Sequence, residues 1–574
     1  MGTKATSSPN DGSGVVVGII DTGINFCHPE FRDPATGKTR IKFFGFIMDP
    51  SMASELVQWG ECSSTDPYSC CLELGGAFDQ NTQICEFSDT VINQKIGQGD
   101  CQYDFDGHGT HVAGTAAGSY WGIARRSDLI IFAPVDTKGK LKGDTAIIKG
   151  LLWIKKKARA LGRPAVVNMS LGEHYDPHDG TGSLDRAVDD VSGPGFVVVV
   201  AQGNEGDKPI HAFTTKTADR VRVLVTGQVL IAGWYKNPSE WRIEVCEPRT
   251  DRCVGTSSGS DMRAKEQVGA TGCLAQVFAS KKVDPLNGDG VFRIELSCSR
   301  STELEIKLTQ ICGEVARVDM WDTLERGIFL SNTEKDNIYG GYMYTVASPG
   351  TAKRAITVGA VNSRPDLILD TSGNTDTFSK LGKIANFSSR GPTRDGRIKP
   401  NVVAGGAYVC SANHNCSLGN NGLVCSPQQT QQIIFSCDAD NFYVAYHGTS
   451  MATPVVTGLV ALYLQSFPDA TPEDVKRWLT SNAVTDVQEL GMSYPNVIYG
   501  YGKAVWSDTV GSGGSGEDST VRVDTGKGVG SCLVSLPPPP PSGGGCTAGP
   551  ASSAGFLTSL LVLSVLIALR RVLA

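Results

Sequence analysis

Four short runs in the first half of the chain are apolar at nearly every position and stop at a polar turn. Val15-Val16-Val17-Gly18-Ile19-Ile20 ends at Asp21-Thr22-Gly23, and Leu129-Ile130-Ile131-Phe132-Ala133 ends at Pro134-Val135-Asp136. Ala165-Val166-Val167 runs into Asn168-Met169-Ser170-Leu171-Gly172, and Phe196-Val197-Val198-Val199-Val200 into Ala201-Gln202-Gly203-Asn204. Continuous rather than alternating apolarity marks strands covered on both faces, and so predicts a parallel sheet. Between the second and third runs, Ile147, Ile148, Leu151, Leu152 and Ile154 recur at helical spacing and are followed by Lys155-Lys156-Lys157, read as a solvated helix end. Strand, helix, strand at this spacing is the crossover unit of an α/β fold. Such sheets bind ligands beyond the carboxyl ends of their strands, where Asp21 and Asn204 stand.

The pattern changes between Gly206 and Tyr344. Val221-Arg222-Val223-Leu224-Val225, Trp241-Arg242-Ile243-Glu244-Val245 and Phe292-Arg293-Ile294-Glu295-Leu296 mostly alternate, which predicts half-exposed antiparallel strands in a sandwich. Residues 510–553 are rich in Gly, Ser and Pro and read as a stalk. Residues 554–569 are uncharged and mostly apolar, and Arg570-Arg571 follow. That run is shorter than the roughly 20 residues a spanning helix needs, but a charge-free run closed by a basic pair is expected to be a membrane anchor or sorting signal, with everything before it outside.

Composition narrows the class. With 574 residues, 40% hydrophobic and 19% charged, the chain is too apolar for wholesale disorder. Its 67 glycines follow no Gly-X-Y period. A net charge of −7 argues against a nucleic-acid partner. Of 17 cysteines, 14 fall in three clusters, 62–101, 246–312 and 410–437, while Cys27, Cys532 and Cys546 stand apart. No paired C-x-x-C elements suggest zinc, so an oxidising compartment and several disulfides are expected, with the pairing left open. The opening MGTKATSSPNDGSG has no apolar stretch to act as a signal peptide, so an N-terminally incomplete chain is expected.

Three patterns carry chemistry. Asp21-Thr22-Gly23 follows the first strand, Gly107-His108-Gly109-Thr110-His111-Val112-Ala113-Gly114 opens one apolar helix, and Gly448-Thr449-Ser450-Met451-Ala452-Thr453-Pro454 opens another. In this order and context they resemble the subtilisin-like serine endopeptidases. The resemblance extends to Phe387-Ser388-Ser389-Arg390-Gly391-Pro392 and Lys399-Pro400-Asn401-Val402-Val403-Ala404, after which Gly405-Gly406 replaces the usual proline and is expected to loosen a loop. It implies a nucleophile at Ser450, a general base at His108 and an orienting carboxylate at Asp21. Asn204, in Gly203-Asn204-Glu205-Gly206, matches the family's side-chain oxyanion donor, with the Ser450 N–H as the second. Ser170-Leu171-Gly172 matches the edge that pairs with substrate, and Leu141-Lys142-Gly143 is placed opposite it by position. Glu173 stands where glycine is common and puts a carboxylate by that groove. His111, three residues after His108, is read as structural, since no third metal ligand is apparent nearby. A second Asp-Thr-Gly at Asp524 raises an aspartic-protease alternative, but it lies in the stalk with no lobe to bury it.

The resemblance implies an α/β fold, a subtilisin-like parallel sheet flanked by helices and split by a jelly-roll-like β-sandwich. The expected division is catalytic residues 1–206 and 344–507, an insertion at 207–343, a stalk at 508–553 and a hydrophobic tail at 554–574. The insertion either recognises substrate or braces the core. Calcium is common in the family, though no ligand set or other metal site is identifiable here. Cys546, in small residues before the apolar run, makes this end resemble cysteine-containing bacterial surface-sorting tags. Relatives are usually made with a propeptide; only twenty residues precede Asp21, which again fits an incomplete chain. The expected protein is a monomeric, secreted or surface-anchored peptidase of protein or peptide substrates. The rival from another class is a catalytically silent adhesion protein on the same scaffold.

Overall fold

The computed structural model describes residues 10–257, 263–280, 282–314, 316–330, 342–363, 382–419, 422–426, 435–485 and 493–507. The stalk, the apolar tail, Cys532 and Cys546 lie outside them. The apolar runs form the middle of a nine-stranded sheet. Its strands are β1 (Val16–Ile20), β2 (Ile41–Ile47), β3 (Ala77–Asp79), β4 (Ile84–Ser88), β5 (Asp128–Ala133), β6 (Ala165–Met169), β7 (Phe196–Ala201), β8 (Ile356–Asn362) and β9 (Val402–Ala407). Their order is β9-β8-β7-β6-β1-β5-β2-β4-β3. Every pairing from β9 to β2 is parallel. The sheet is not parallel throughout, because β4 runs antiparallel to both β2 and β3. This edge hairpin is built from the long segment between Asp21 and His108, and the Cys71–Cys85 disulfide ties a preceding helix (Pro67–Glu73) to it.

Both faces of the sheet are covered, as the unbroken apolar runs require. In β1, Val17 and Ile19 enter the core beneath helices α1 (His108–Ala117) and α4 (Thr449–Ser466), while Val16 and Ile20 enter the core beneath α2 (Asp144–Ala160) and α3 (Ser183–Val191). Ile147, Leu151 and Ile154 form the buried stripe of α2. The lysines after it are less free than expected: Lys157 pairs with Glu86 at 2.5 Å, and Lys155 donates to the Val191 carbonyl. The Gly405-Gly406 departure does not loosen a loop either. Both residues continue β9, and a Cβ on Gly406 would meet the Gly448 carbonyl at 2.8 Å, so the small residue permits close approach of the loop before Ser450.

Among the described residues, strands between His211 and Leu330 form a second nine-stranded sheet. Two long strands, Ala218–Tyr235 and Gly290–Cys312, pair antiparallel along most of their length with a break at Val225/Gly227. Such a break bends the strands, and apolar residues from both sides of it share one core that includes Val223, Ile231, Trp241, Phe292 and Leu304. Cys246–Cys253 and Cys273–Cys298 are disulfides between residues directly opposite in register. Among the described residues no helix is long and apolar enough to cross a membrane.

Candidate active site

Three adjacent strands of the sheet, β7, β6 and β1, end in candidate polar residues at their carboxyl edge. Asp21 follows β1 directly, Ser170 follows β6, and Asn204 lies three residues beyond β7. Two helices then begin over this edge, α1 at His108 and α4 at Thr449, so both present first-turn residues to it.

His108 Nδ1 lies 2.7 Å from Asp21 Oδ1, which also accepts the Thr22 N–H at 2.8 Å. The carboxylate therefore fixes the proton on Nδ1 and leaves the Nε2 lone pair available. Burial works against an imidazolium at His108, but the charge and hydrogen bond of Asp21, with Asp106 and Asp104 adding, raise its pKa above the ordinary histidine value. The Ser450 hydroxyl donates to the Ser170 carbonyl at 3.2 Å, and Ser170 Oγ donates to the Ser450 carbonyl at 2.8 Å. In this resting arrangement Ser450 Oγ does not bond His108; a rotation about its χ1 redirects the hydroxyl.

Asn204 is held by its oxygen. Its Oδ1 accepts from the Thr449 N–H at 2.9 Å and from Thr449 Oγ1 at 3.0 Å, which leaves the Nδ2 donors for another acceptor. A Cβ on Gly448 would sit 3.5 Å from Asn204 Nδ2 and 3.6 Å from the Ser450 nitrogen, so those two donors surround one small space that glycine keeps open. The backbone there has φ +146°, a second reason for glycine. Gly172 is exposed on the edge that leaves the sheet beside Ser170, and the following residue, Glu173, exchanges backbone hydrogen bonds with Ser348. Leu141-Lys142-Gly143 precedes α2; Leu141 is 38% exposed and Lys142 is tied to Asp49 at 2.5 Å.

One residue that positions these groups has no counterpart among the sequence candidates. Asp104 is buried and accepts from Thr22 Oγ1 (2.7 Å), Gly107 N–H (2.8 Å), Thr110 N–H (2.7 Å) and Thr110 Oγ1 (2.6 Å). It thereby locks the start of α1 to the segment after β1, and so His108 to Asp21. The short pairing of Gly23–Asn25 with Gln102–Asp104, clamped by Cys27–Cys101, brings Asp104 there. Closing that loop of 74 residues contributes on the order of 4 kcal/mol through the entropy of the unfolded chain. An aspartate three residues ahead of a helix-opening glycine is the local signal that could have marked it. His111 is packed into the core: its buried Nε2–H donates to the Val409 and Val444 carbonyls, its ring stacks on Tyr446 at 4.4 Å, and burial pushes its pKa down to about 3.

A family model described as the Subtilase family matches residues 12–303 and 332–502. The chain belongs to the subtilase family. Among curated relatives, this subtilase is 48% identical over 213 residues to an uncharacterised protein of Aquifex aeolicus, covering 37% of this chain and 86% of that one. It is 36% identical over 135 residues to serine protease AprX of Bacillus subtilis, 24% of this chain and 26% of AprX. It is 25% identical over 514 residues to the minor extracellular protease Vpr of the same organism, 86% of this chain but 51% of Vpr. The solved CspB protease of Clostridium perfringens shares the fold, with a TM-score of 0.61, 22% identity, and 87% of this chain and 93% of that one covered. The family match and the serine-protease relatives support a peptidase function for the subtilase.

The calcium that the family implies finds no matching ligands in the His174, Glu205 and Glu325 group, whose ligand atoms lie within 4.8 Å of one another. One imidazole and two carboxylates, of which Glu325 is already paired with Lys208 at 2.5 Å, do not make a calcium site of six to eight oxygens.

Proposed function

We propose that the chain is a serine endopeptidase that hydrolyses peptide bonds of protein or peptide substrates through an acyl-enzyme. The supporting observation is the 2.7 Å contact of His108 Nδ1 with Asp21, at the sheet edge where Ser450 and Asn204 also gather. Substrate pairs with Ser170, Leu171 and Gly172, opposite the 141–143 edge. Ser450 Oγ turns from the Ser170 carbonyl, gives its proton to His108 Nε2 and attacks the peptide carbonyl. Asn204 Nδ2 and the Ser450 N–H receive the developing oxyanion, a contribution of about 10² to 10³ in rate for one such donor. His108 then protonates the leaving amine, and water releases the acyl group by the same path in reverse.

The catalytic unit is residues 1–206 and 344–507, split by 207–343. Seven disulfides between described cysteines fit an extracellular or cell-surface location, as does the expected role of the stalk and tail at 508–574. The test is cleavage of an internally quenched peptide by the matured protein. Internal cleavage that Ser450→Ala abolishes supports the reading. Binding without cleavage favours the adhesion alternative.

The base must be neutral to accept a proton, so activity appears as pH rises through the raised pKa of His108 and is lost below it. Asp106 is one of the charges that raise it. Asp106→Asn is expected to move the acid limb of the kcat/KM profile to lower pH and leave the plateau within about twofold. An unmoved limb counts against the assignment of His108 as the base.

A further inference from the structure

Behind Asn204 runs a buried relay that reaches the β-rich insertion. Glu205 Oε2 accepts the Asn204 backbone N–H at 2.7 Å and the Ser389 hydroxyl at 3.0 Å, and lies 3.2 Å from His174 Nε2. His174 Nδ1 is 2.9 Å from His178 Nε2, and His178 Nδ1 is 2.7 Å from the Asp176 carbonyl. Hydrogen-bond chemistry fixes the protons along this line. A carbonyl can only accept, so His178 carries its proton on Nδ1. Its Nε2 is then an acceptor, and His174 must donate from Nδ1. Only a second proton, on Nε2, lets His174 also donate to Glu205; without it a lone pair faces a carboxylate oxygen.

The far end of the line is built by the insertion. The His178 ring stacks on Trp321 of the strand Val318–Asp322, with centroids 4.0 Å apart and planes 1° from parallel. Trp321 donates its indole N–H to the Tyr344 carbonyl at 2.8 Å and contacts His211, which bonds Asp319 at 3.0 Å. Arg394 of the core binds Asp289 of the insertion at 2.6 Å and lies 3.3 Å from Asp179. His174 and His178 are 2% and 1% exposed, so neither is a solvated surface histidine.

Accepting the peptidase reading, we propose that His174 is a positioning residue for the oxyanion hole. Its imidazolium holds Glu205, Glu205 holds the Asn204 backbone, and the insertion fixes the ring through His178 and Trp321. The insertion thereby has a catalytic consequence without touching substrate. Glu205, His178 and Asp176 face His174 from the core and Glu325 faces it from the insertion; His211 and Arg394 lie beyond His178. Burial opposes the charge on His174, but the hydrogen bond and charge of Glu205, aided by Glu325 and Asp176, raise its pKa. The imidazolium is therefore lost as pH rises through that raised pKa.

The experiment measures kcat and KM against pH for the matured full chain and for His174→Gln, with active fractions counted by fluorophosphonate titration. Wild type should show an alkaline limb in kcat, with KM unchanged, as His174 loses its Nε2 proton. Glutamine offers an N–H donor that does not titrate, so in His174→Gln the alkaline limb should vanish and kcat at the optimum should fall about three- to tenfold. His174→Leu, with no donor, should lower kcat at every pH. A wild-type profile flat on the alkaline side overturns the proposal, as does a His174→Gln limb at the wild-type position. A loss confined to active fraction or Tm also overturns it, since that is a structural role alone. Absence of fluorophosphonate labelling in wild type overturns the peptidase reading itself, and this inference with it.

Discussion

His108→Ala is expected to lower kcat by about a millionfold, the scale found when the base of such a triad is removed. Ser450 Oγ would then have only the Ser170 carbonyl as a partner, at 3.2 Å, and a backbone carbonyl cannot take its proton at neutral pH. His111, one turn along α1, cannot substitute. Its Nε2–H is committed to the Val409 and Val444 carbonyls, its ring is stacked on Tyr446, and it stays neutral down to about pH 3. Asn204 and the Ser450 N–H remain in place, so a residual rate above that of water should survive. Single-turnover kinetics on the quenched peptide would read the loss. A reduction smaller than about a hundredfold would mean that another group serves as base.

Asp21→Asn should cost about 10⁴ in kcat while changing KM little. Asp21 Oδ1 accepts from both Thr22 N–H and His108 Nδ1, and Oδ2 is buried without a hydrogen-bond partner. An asparagine that keeps its oxygen toward Thr22 and His108 puts its amide where Oδ2 finds nothing to accept from it. Flipped, it donates toward His108 Nδ1, moves the imidazole proton to Nε2 and blocks the base. Either way the charge that stabilises the imidazolium is gone, so the acid limb should also shift to lower pH. Measurement of kcat and the acid limb together checks both consequences.

The parts legible in the sequence are those with short-range signatures. The unbroken apolar runs became β1, β5, β6 and β7, and the polar residues ending β1, β6 and β7 came together because neighbouring parallel strands deliver their carboxyl ends to one edge. The helix-opening motifs placed His108 and Ser450 over that edge for the same local reason. The alternating stretches became the bent antiparallel sheet, but its strand order could not be read, since alternation reports which face a residue is on and not its neighbour. The antiparallel hairpin at the edge was hidden in a cysteine-rich segment whose pairing is a long-range property. The Glu205-His174-His178-Trp321 relay was invisible for that reason too: Trp321 lies 143 residues after His178 and meets it only through the packing of insertion on core. The histidine pair four residues apart in a polar loop was its one local trace.

The central claim is that Ser450 is an activated nucleophile. Incubating the matured full chain with a fluorophosphonate and mapping the adduct by peptide mass spectrometry tests it most directly. A single phosphonyl adduct on Ser450, formed faster as pH rises through the His108 titration and suppressed in His108→Ala, is the predicted result. Correctly folded, matured protein that carries no adduct at Ser450, or labels there equally well without His108, would contradict the account.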